Sequence, residues 1–196
     1  MSALAFADQA VESQAAFRAI LKAIASPGAI ESCGRGLAPP LPLSPAAAAA
    51  ILTLADFETP LWIAPSLATS GEAVAYLRFH TGASLAASPD QAAFALIDLE
   101  LDGFDLTSFA QGAPDYPDRS TTVVVETRSL AGRPGIRIAG PGVRGTAEIE
   151  FGPMPGGFLS QWRANHSRFP LGVDLILAHG TELAVLPRSV RVTGGE

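Results

Sequence analysis

The apolar positions of the chain recur with two periods, and the breaks between them are marked by proline and glycine. Residues 10 to 25 carry Val11, Phe17, Leu21 and Ile24 on one helical stripe, which predicts an amphipathic helix that Pro27-Gly28 ends. Residues 31 to 45 are rich in Gly and Pro and read as a loop. Ser44-Pro45 then opens a second helix. The serine oxygen can accept a free amide of the first turn, and the proline sits where its missing donor is harmless. Ala46 to Ala50, Ile51, Leu52 and Leu54 follow. Ser70 caps a third helix bearing Tyr76, Leu77 and Arg78, and Gly157 to Arg168 reads as a further helix.

Strand patterns occupy the remaining apolar segments. Thr59 to Ala64 and Ala92 to Ile97 are short buried candidates, and Thr121 to Thr127 is β-branched almost throughout. Ile136 to Ile138 and Thr146 to Phe151 alternate around the turn Gly140 to Gly145. Val173 to Ala178 and Leu183 to Val192 are expected to pair across His179 to Glu182. Asp105 to Gln111 reads as a short helix and Ala113 to Ser120 as a proline-rich loop. The order of elements is mixed rather than strictly alternating. The expected fold class is therefore α/β: one domain over residues 1–196, with a mixed β-sheet flanked by helices in three layers.

Composition narrows the function classes. A chain of 20.2 kDa should bury roughly 70% of the surface its unfolded form exposes, so no disulfide or structural metal is required. Cys33 is the only cysteine, which rules out an internal disulfide and a multi-thiolate zinc cluster and suggests a reducing compartment. Residues 1 to 16 hold no basic residue, so a secretory leader is not expected. The longest plainly apolar run, Ala46 to Ala55, falls short of the ~20 residues that span a bilayer. A cytoplasmic location is expected, with no membrane partner. The formal charge of −6 argues against nucleic acid as a partner. With 48% hydrophobic and 16% charged residues, few charges cover the surface, and a homodimer is expected.

Candidate motifs weaken in context. Gly140-Pro141-Gly142-Val143-Arg144-Gly145 has the spacing of a dinucleotide fingerprint, but the segment after it alternates like a strand and supplies no helix N-terminus for a phosphate. A hairpin connection is expected instead. Gly82-Ala83-Ser84-Leu85-Ala86 misses the nucleophile elbow, which needs a strand before it and a helix after it. A P-loop requires Gly-Lys-Ser/Thr, and the single lysine, Lys22, precedes an alanine. His80, His166 and His179 have no second ligand at metal spacing. No catalytic, cofactor-binding or metal-binding residue is therefore assigned. His80 can cap a helix end or, with Arg78, bind an anion or a partner. Asp174 precedes Leu175-Ile176-Leu177 and needs a partner, with Arg188 and Arg78 the candidates for a structural buried ion pair. Asp56 and Glu58 fall in a turn, where capping competes with acid–base work.

Six segments in order carry a family resemblance: Phe17-Arg18 with Ser26-Pro27-Gly28; Leu52 to Asp56 with Thr59 to Trp62; Leu77 to Thr81; Gly140 to Gly142; Phe169 to Asp174; and Leu186 to Arg188. Together, from about Phe17 to about Val192, they resemble the H subunit of the bacterial carbon–phosphorus lyase system. Val143 departs from the isoleucine common there. The resemblance implies a reduced form of the pyridoxal-phosphate transferase fold, and a homodimeric subunit of a larger core complex. It implies an accessory, non-catalytic role in converting ATP and methylphosphonate into ribose 1-methylphosphonate 5-triphosphate, the complex as a whole being a transferase. No cofactor is expected, because pyridoxal phosphate needs a Schiff-base lysine and Lys22 lies on the first helix. Against this stands a free-standing enzyme that binds a nucleotide or phosphorylated sugar, with ATP or a phosphonate as ligand, through a pocket of Arg78, His80 and Arg188. A third, assembly reading overlaps the first and would require exposed apolar surface.

Overall fold

The computed structural model describes residues 5–101, 105–131 and 135–193. Helix α1 (Gln9–Ala25) starts where the Asp8 side chain accepts the Val11 amide, and α2 (Pro45–Leu54) starts where Ser44 accepts the Ala47 amide. A short α3 (Pro65–Ala68) leads to α4 (Gly71–Thr81), whose first turn is capped by Ser70, and α5 (Phe158–Ser167) comes late in the chain. The first strands are β1 (Glu31–Ser32), β2 (Leu61–Ile63), β3 (Phe94–Asp98), β4 (Gln111–Ala113), β5 (Tyr116–Ser120) and β6 (Thr122–Glu126). The rest are β7 (Ile136–Ala139), β8 (Ala147–Ile149), β9 (Asp174–His179), β10 (Glu182–Leu186) and β11 (Arg191–Val192).

The main sheet has the order β1-β10-β9-β6-β3-β2. Strands β2, β3, β6 and β9 run parallel, and β10 and then β1 are added antiparallel. The parallel strands are covered on both faces, which is why they read as continuous apolar runs. Leu96, Val124 and Ile176 face α1, α2 and α4, in a core with Ile20, Ile51 and Leu77. Val123, Val125, Leu175 and Leu177 face the other way, toward Phe151, Phe158 and Trp162. All five alanines from Ala46 to Ala50 are buried, so the first turns of α2 meet their neighbours through methyl groups, with Ile51 the first large side chain in the core.

Three layers form, as the element order predicts, but the second covering layer is mixed. It combines α5 with a small sheet of order β11-β7-β8. Three further expectations are corrected. The stripe of Val11, Phe17, Leu21 and Ile24 is the exposed side of α1, whereas Ala16, Ile20 and Ala23 point inward. The small alanines on that inner line let α1 lie close on α2 and β10, and the larger residues overhang the edge. The strand expected over 183–192 is two strands: Pro187 has no amide hydrogen to continue the ladder, and Arg191-Val192 pair with Ala139 and Ile138 instead. Residues 111–120, expected as a short helix end and a loop, form the hairpin β4–β5, with only Leu106–Ser108 in a 3₁₀ turn. The Gly140 to Gly145 segment does join an antiparallel pair, β7 and β8.

Candidate functional site

Asp174 is set at the start of β9 by the segment before it. The Asn165 side chain accepts the Val173 amide at 2.9 Å and donates to the Val173 carbonyl at 2.9 Å. Gly172 has φ +109°, and a Cβ there would stand 2.7 Å from the Asn165 Oδ1, so glycine is required. Across the sheet, the Arg188 amide donates to Asp174 Oδ1 at 2.7 Å and its Nε to Oδ2 at 3.0 Å, with Nη2 closing on the same oxygen. Nη1 donates to the carbonyls of Pro117, at 3.0 Å, and Pro170, at 3.4 Å. His166 Nδ1 lies 2.9 Å from the Arg188 carbonyl oxygen. One guanidinium thus ties together the β4–β5 hairpin, the turn before β9 and the end of β10. The expected Asp174–Arg188 ion pair is present at a rim rather than in the deep core, since the Arg188 and Asp174 side chains are 14% and 26% exposed.

Arg78 and His80 sit elsewhere, on α4. The helix end is capped by Gly82, in the left-handed region at φ +71°, whose amide donates to the Arg78 carbonyl. His80 instead rests edge-on against Tyr76 at 4.7 Å and Phe79 at 5.0 Å, and lines a cleft of about 200 Å³ with Phe6, Gln9 and Leu52. Arg78 is exposed, and Phe79 beside it is 83% exposed. The Arg188 guanidinium is bonded to Asp174, Pro117 and Pro170, and the cleft beside His80 is lined by other residues. Asp56 forms a local turn, accepting the Glu58 amide at 2.9 Å and the Thr59 hydroxyl. His179 closes β9, with Nδ1 3.0 Å from the Thr127 carbonyl.

Two features escaped the sequence reading. The first is an apolar groove of about 250 Å³ between α1 and the amino-terminal ends of the parallel strands. Phe17, Leu21 and Ile24 form one wall, Leu54, Phe94, Ile176, Val185 and Pro187 are among the residues facing it, and Asp174 stands among them. The three α1 residues remain 43–47% exposed. The signal was present as a helix with more large apolar residues than one buried stripe can use. The second is Glu126, at the opposite, carboxyl end of β6, only 6% exposed and accepting the Ser44 amide at 2.7 Å. Burial pushes its carboxyl up to about 7, against the hydrogen bonds from Ser44. Burial also pushes the Cys33 thiol up to about 12, which fits a structural cysteine. Among the described residues, no group of three or more His, Cys, Asp or Glu is placed to hold a metal ion, and no helix is long and apolar enough to cross a membrane.

Over residues 4–193 the chain matches the family described as bacterial phosphonate metabolism protein (PhnH). It is 40% identical over 190 residues to the alpha-D-ribose 1-methylphosphonate 5-triphosphate synthase subunit PhnH of Rhizobium meliloti (strain 1021), covering 96% of this chain and 94% of that protein. It is 30% identical over 190 residues to HtxG of Stutzerimonas stutzeri, a protein named as a C-P lyase subunit, covering 94% of this chain and 87% of the relative.

Proposed function

The chain belongs to the PhnH family of bacterial phosphonate metabolism proteins, and from that premise we propose that it is an accessory, non-catalytic subunit of a cytoplasmic carbon–phosphorus lyase complex. Its contribution is to support formation of ribose 1-methylphosphonate 5-triphosphate from ATP and methylphosphonate by holding other subunits in place. The observation that carries this reading is the apolar groove. Four of the segments behind the family resemblance contribute to it: Phe17, Leu54, Asp174 and Pro187. A groove of this kind, walled by half-exposed large apolar side chains, is costly to leave in water and is suited to a protein partner. The Asp174–Arg188 pair beside it fixes the rim without offering a free guanidinium, because Arg188 is committed to Asp174, Pro117 and Pro170.

The homodimer belongs to the same reading, as the form in which an isolated chain covers apolar surface. Arg78 and His80, with the exposed Phe79, supply a second contact point for an anion or a partner on α4. The reduced pyridoxal-phosphate transferase scaffold is kept as an ancestry without its chemistry: Lys22 is exposed on α1 and ion-paired with Glu31 at 2.8 Å, a poor setting for a Schiff base. The test is co-purification. Tagged chain from phosphonate-grown cells should bring down other subunits of the complex, and Leu21→Asp should lose them while keeping its circular dichroism spectrum. Undiminished capture by Leu21→Asp would remove the groove from the interface, and thermal stabilisation by ATP or methylphosphonate alone would favour the free-standing enzyme instead.

A further inference from the structure

Near its start, α1 presents Gln9, Glu12 and Ala16 to a cleft lined by other residues than the groove. The cleft has two parts. One, of about 200 Å³, lies among Gln9, Leu52 of α2 and His80 of α4. The other, of about 180 Å³, lies among Glu12, Ala16 and residues 33–35. Phe6 borders both and is the one residue they share. It packs, half-buried, against the core that α1, α2 and α4 build on the sheet. The segment that carries it is lightly held. The Glu12 carboxylate accepts the Ala7 amide at 3.2 Å and the Asp8 amide at 3.4 Å, and the Asp8 carboxylate accepts the Val11 amide at 3.2 Å. These bonds run only between the segment and the first turn of α1. Its residues are Ala5, Phe6, Ala7 and Asp8, so the Phe6 ring is the one large apolar group that fastens it to the body.

We infer that Phe6 is a displaceable plug: it fills, from within the chain, a site for an aromatic side chain of a partner protein, and it gives way when such a ring is offered. The structure shows a ring in place there. A cavity of about 150 Å³ is enough to take benzene, and each part of the cleft exceeds that. The floor is apolar, with Ala16 and Leu52, and the rim is polar, with Gln9, Arg35 and His80. Among the described residues the Gln9 amide group and the Arg35 guanidinium have no hydrogen bond or ion pair. An apolar body with a polar tip fits this lining, so the incoming group is a tyrosine or tryptophan, whose hydroxyl or indole N–H can meet the rim. Burying about half of a phenylalanine favours the docked segment on the order of tenfold to a hundredfold. The undocked form then stands at about 1–10%, and a competitor binds more weakly by that fraction. Withdrawal of Phe6 joins the two parts into one channel that ends at His80, against which the exposed Phe79 rests. The inference does not depend on the groove: Leu21→Asp, which tests the groove, alters neither the plug nor the walls of this cleft.

Titration with N-acetyl-tryptophanamide, followed by NMR of the Leu52 and Ala16 methyl groups and the His80 ring, tests this directly. The wild-type chain should bind the probe weakly. Phe6→Ala, with the plug removed, should bind it on the order of tenfold to a hundredfold more tightly, with the shifts centred on those three residues. N-acetyl-glycinamide, which has no ring, should bind neither protein. Equal affinity of the two proteins, no binding by Phe6→Ala, or shifts centred on Leu21 and Ile24 in the groove would overturn the plug. A second measurement keeps the ring, and so stands even where Phe6→Ala fails to fold. With para-fluorophenylalanine in place of Phe6, the fluorine signal should report a buried and a solvent-exposed environment, and the exposed share should grow as the probe is added. A fluorine signal unchanged across the titration would also overturn it.

Discussion

Replacing Asp174 by alanine removes the acceptor for the Arg188 backbone amide, its Nε and its Nη2 in one step. The guanidinium cannot simply swing into water, because Nη1 is bound to Pro117 and Pro170 and the side chain is 14% exposed. Breaking a fully buried pair from one side costs about 3–5 kcal/mol, since the remaining charge is left uncompensated. Here the carboxylate is a quarter exposed, and water can reach part of the vacated site. We therefore expect a loss of about 2–3 kcal/mol. For a chain of this length that corresponds to a fall in Tm of about 5–10 °C. Urea unfolding followed by tryptophan fluorescence would measure it, with a shifted midpoint at unchanged slope. Asp174→Asn retains an acceptor for the Arg188 amide while removing the charge, and should lose about half as much. A cycle with Arg188→Met should give a coupling of more than about 1 kcal/mol between the two positions. A loss below about 0.5 kcal/mol in Asp174→Ala, or a coupling near zero, would show that the rim pair is a surface ornament and that the turn before β9 is held by Asn165 alone.

Three further outcomes are expected. Because the Glu126 carboxyl is raised from 4.5 to about 7, its contribution to global stability is most favourable below about pH 4.5 and declines as pH rises to about 7, by at most about 3 kcal/mol; Glu126→Gln should be the more stable protein at about pH 8, and a variant less stable there would contradict the burial argument. The Cys33 thiol, pushed up to about 12 in its buried position, should react with an aromatic disulfide reagent only slowly at neutral pH and rapidly after denaturation, and prompt reaction in the native protein would contradict this. Gly34→Ala should destabilise severely, because at φ +78° a Cβ would lie 2.2 Å from the Pro45 carbonyl oxygen, and an unchanged unfolding midpoint would mean that the backbone at the start of α2 shifts freely.

The parts of the fold legible in the sequence were those set by local chemistry. Ser44-Pro45 and Ser70 mark helix starts because a hydroxyl oxygen meets a first-turn amide whatever the surroundings. The β-branched run around Val123 to Val125 could hardly be anything but a buried strand. Long-range choices were not legible. Either side of α1 could have faced inward by periodicity, and the choice fell to Ala16, Ile20 and Ala23 because close approach to α2 favours small side chains. The β4–β5 hairpin was hidden by Pro114 and Pro117, which suggest a loop, although the strands need pair only with each other. At the site, the demand of Asp174 for a partner was readable from its apolar neighbours, and Arg188 was among the partners named. That Arg78 and His80 lie apart from it depends on where α4 packs, which no local pattern encodes. Glu126 is not legible because a glutamate at a strand end is ordinarily solvated; here it is buried, and the amide that bonds it, that of Ser44, lies 82 positions away in sequence.

The buried alanines of α2 have a mechanical corollary. A helix surfaced with methyl groups has little corrugation along its axis, so its middle turns offer only a shallow resistance to axial sliding against α1 and the sheet. What sets its position lengthwise must then lie at its ends. At the leading end stand the Ser44 amide on Glu126 and the Ala46 amide on the Gly180 carbonyl; toward the trailing end, the first bulky side chain, Ile51, is fully buried. The helix behaves as a smooth rod between two stops. A displacement imposed at one stop would be delivered to the other nearly undiminished, carrying a change at the carboxyl edge of the sheet to Leu54, on the wall of the groove at the opposite edge.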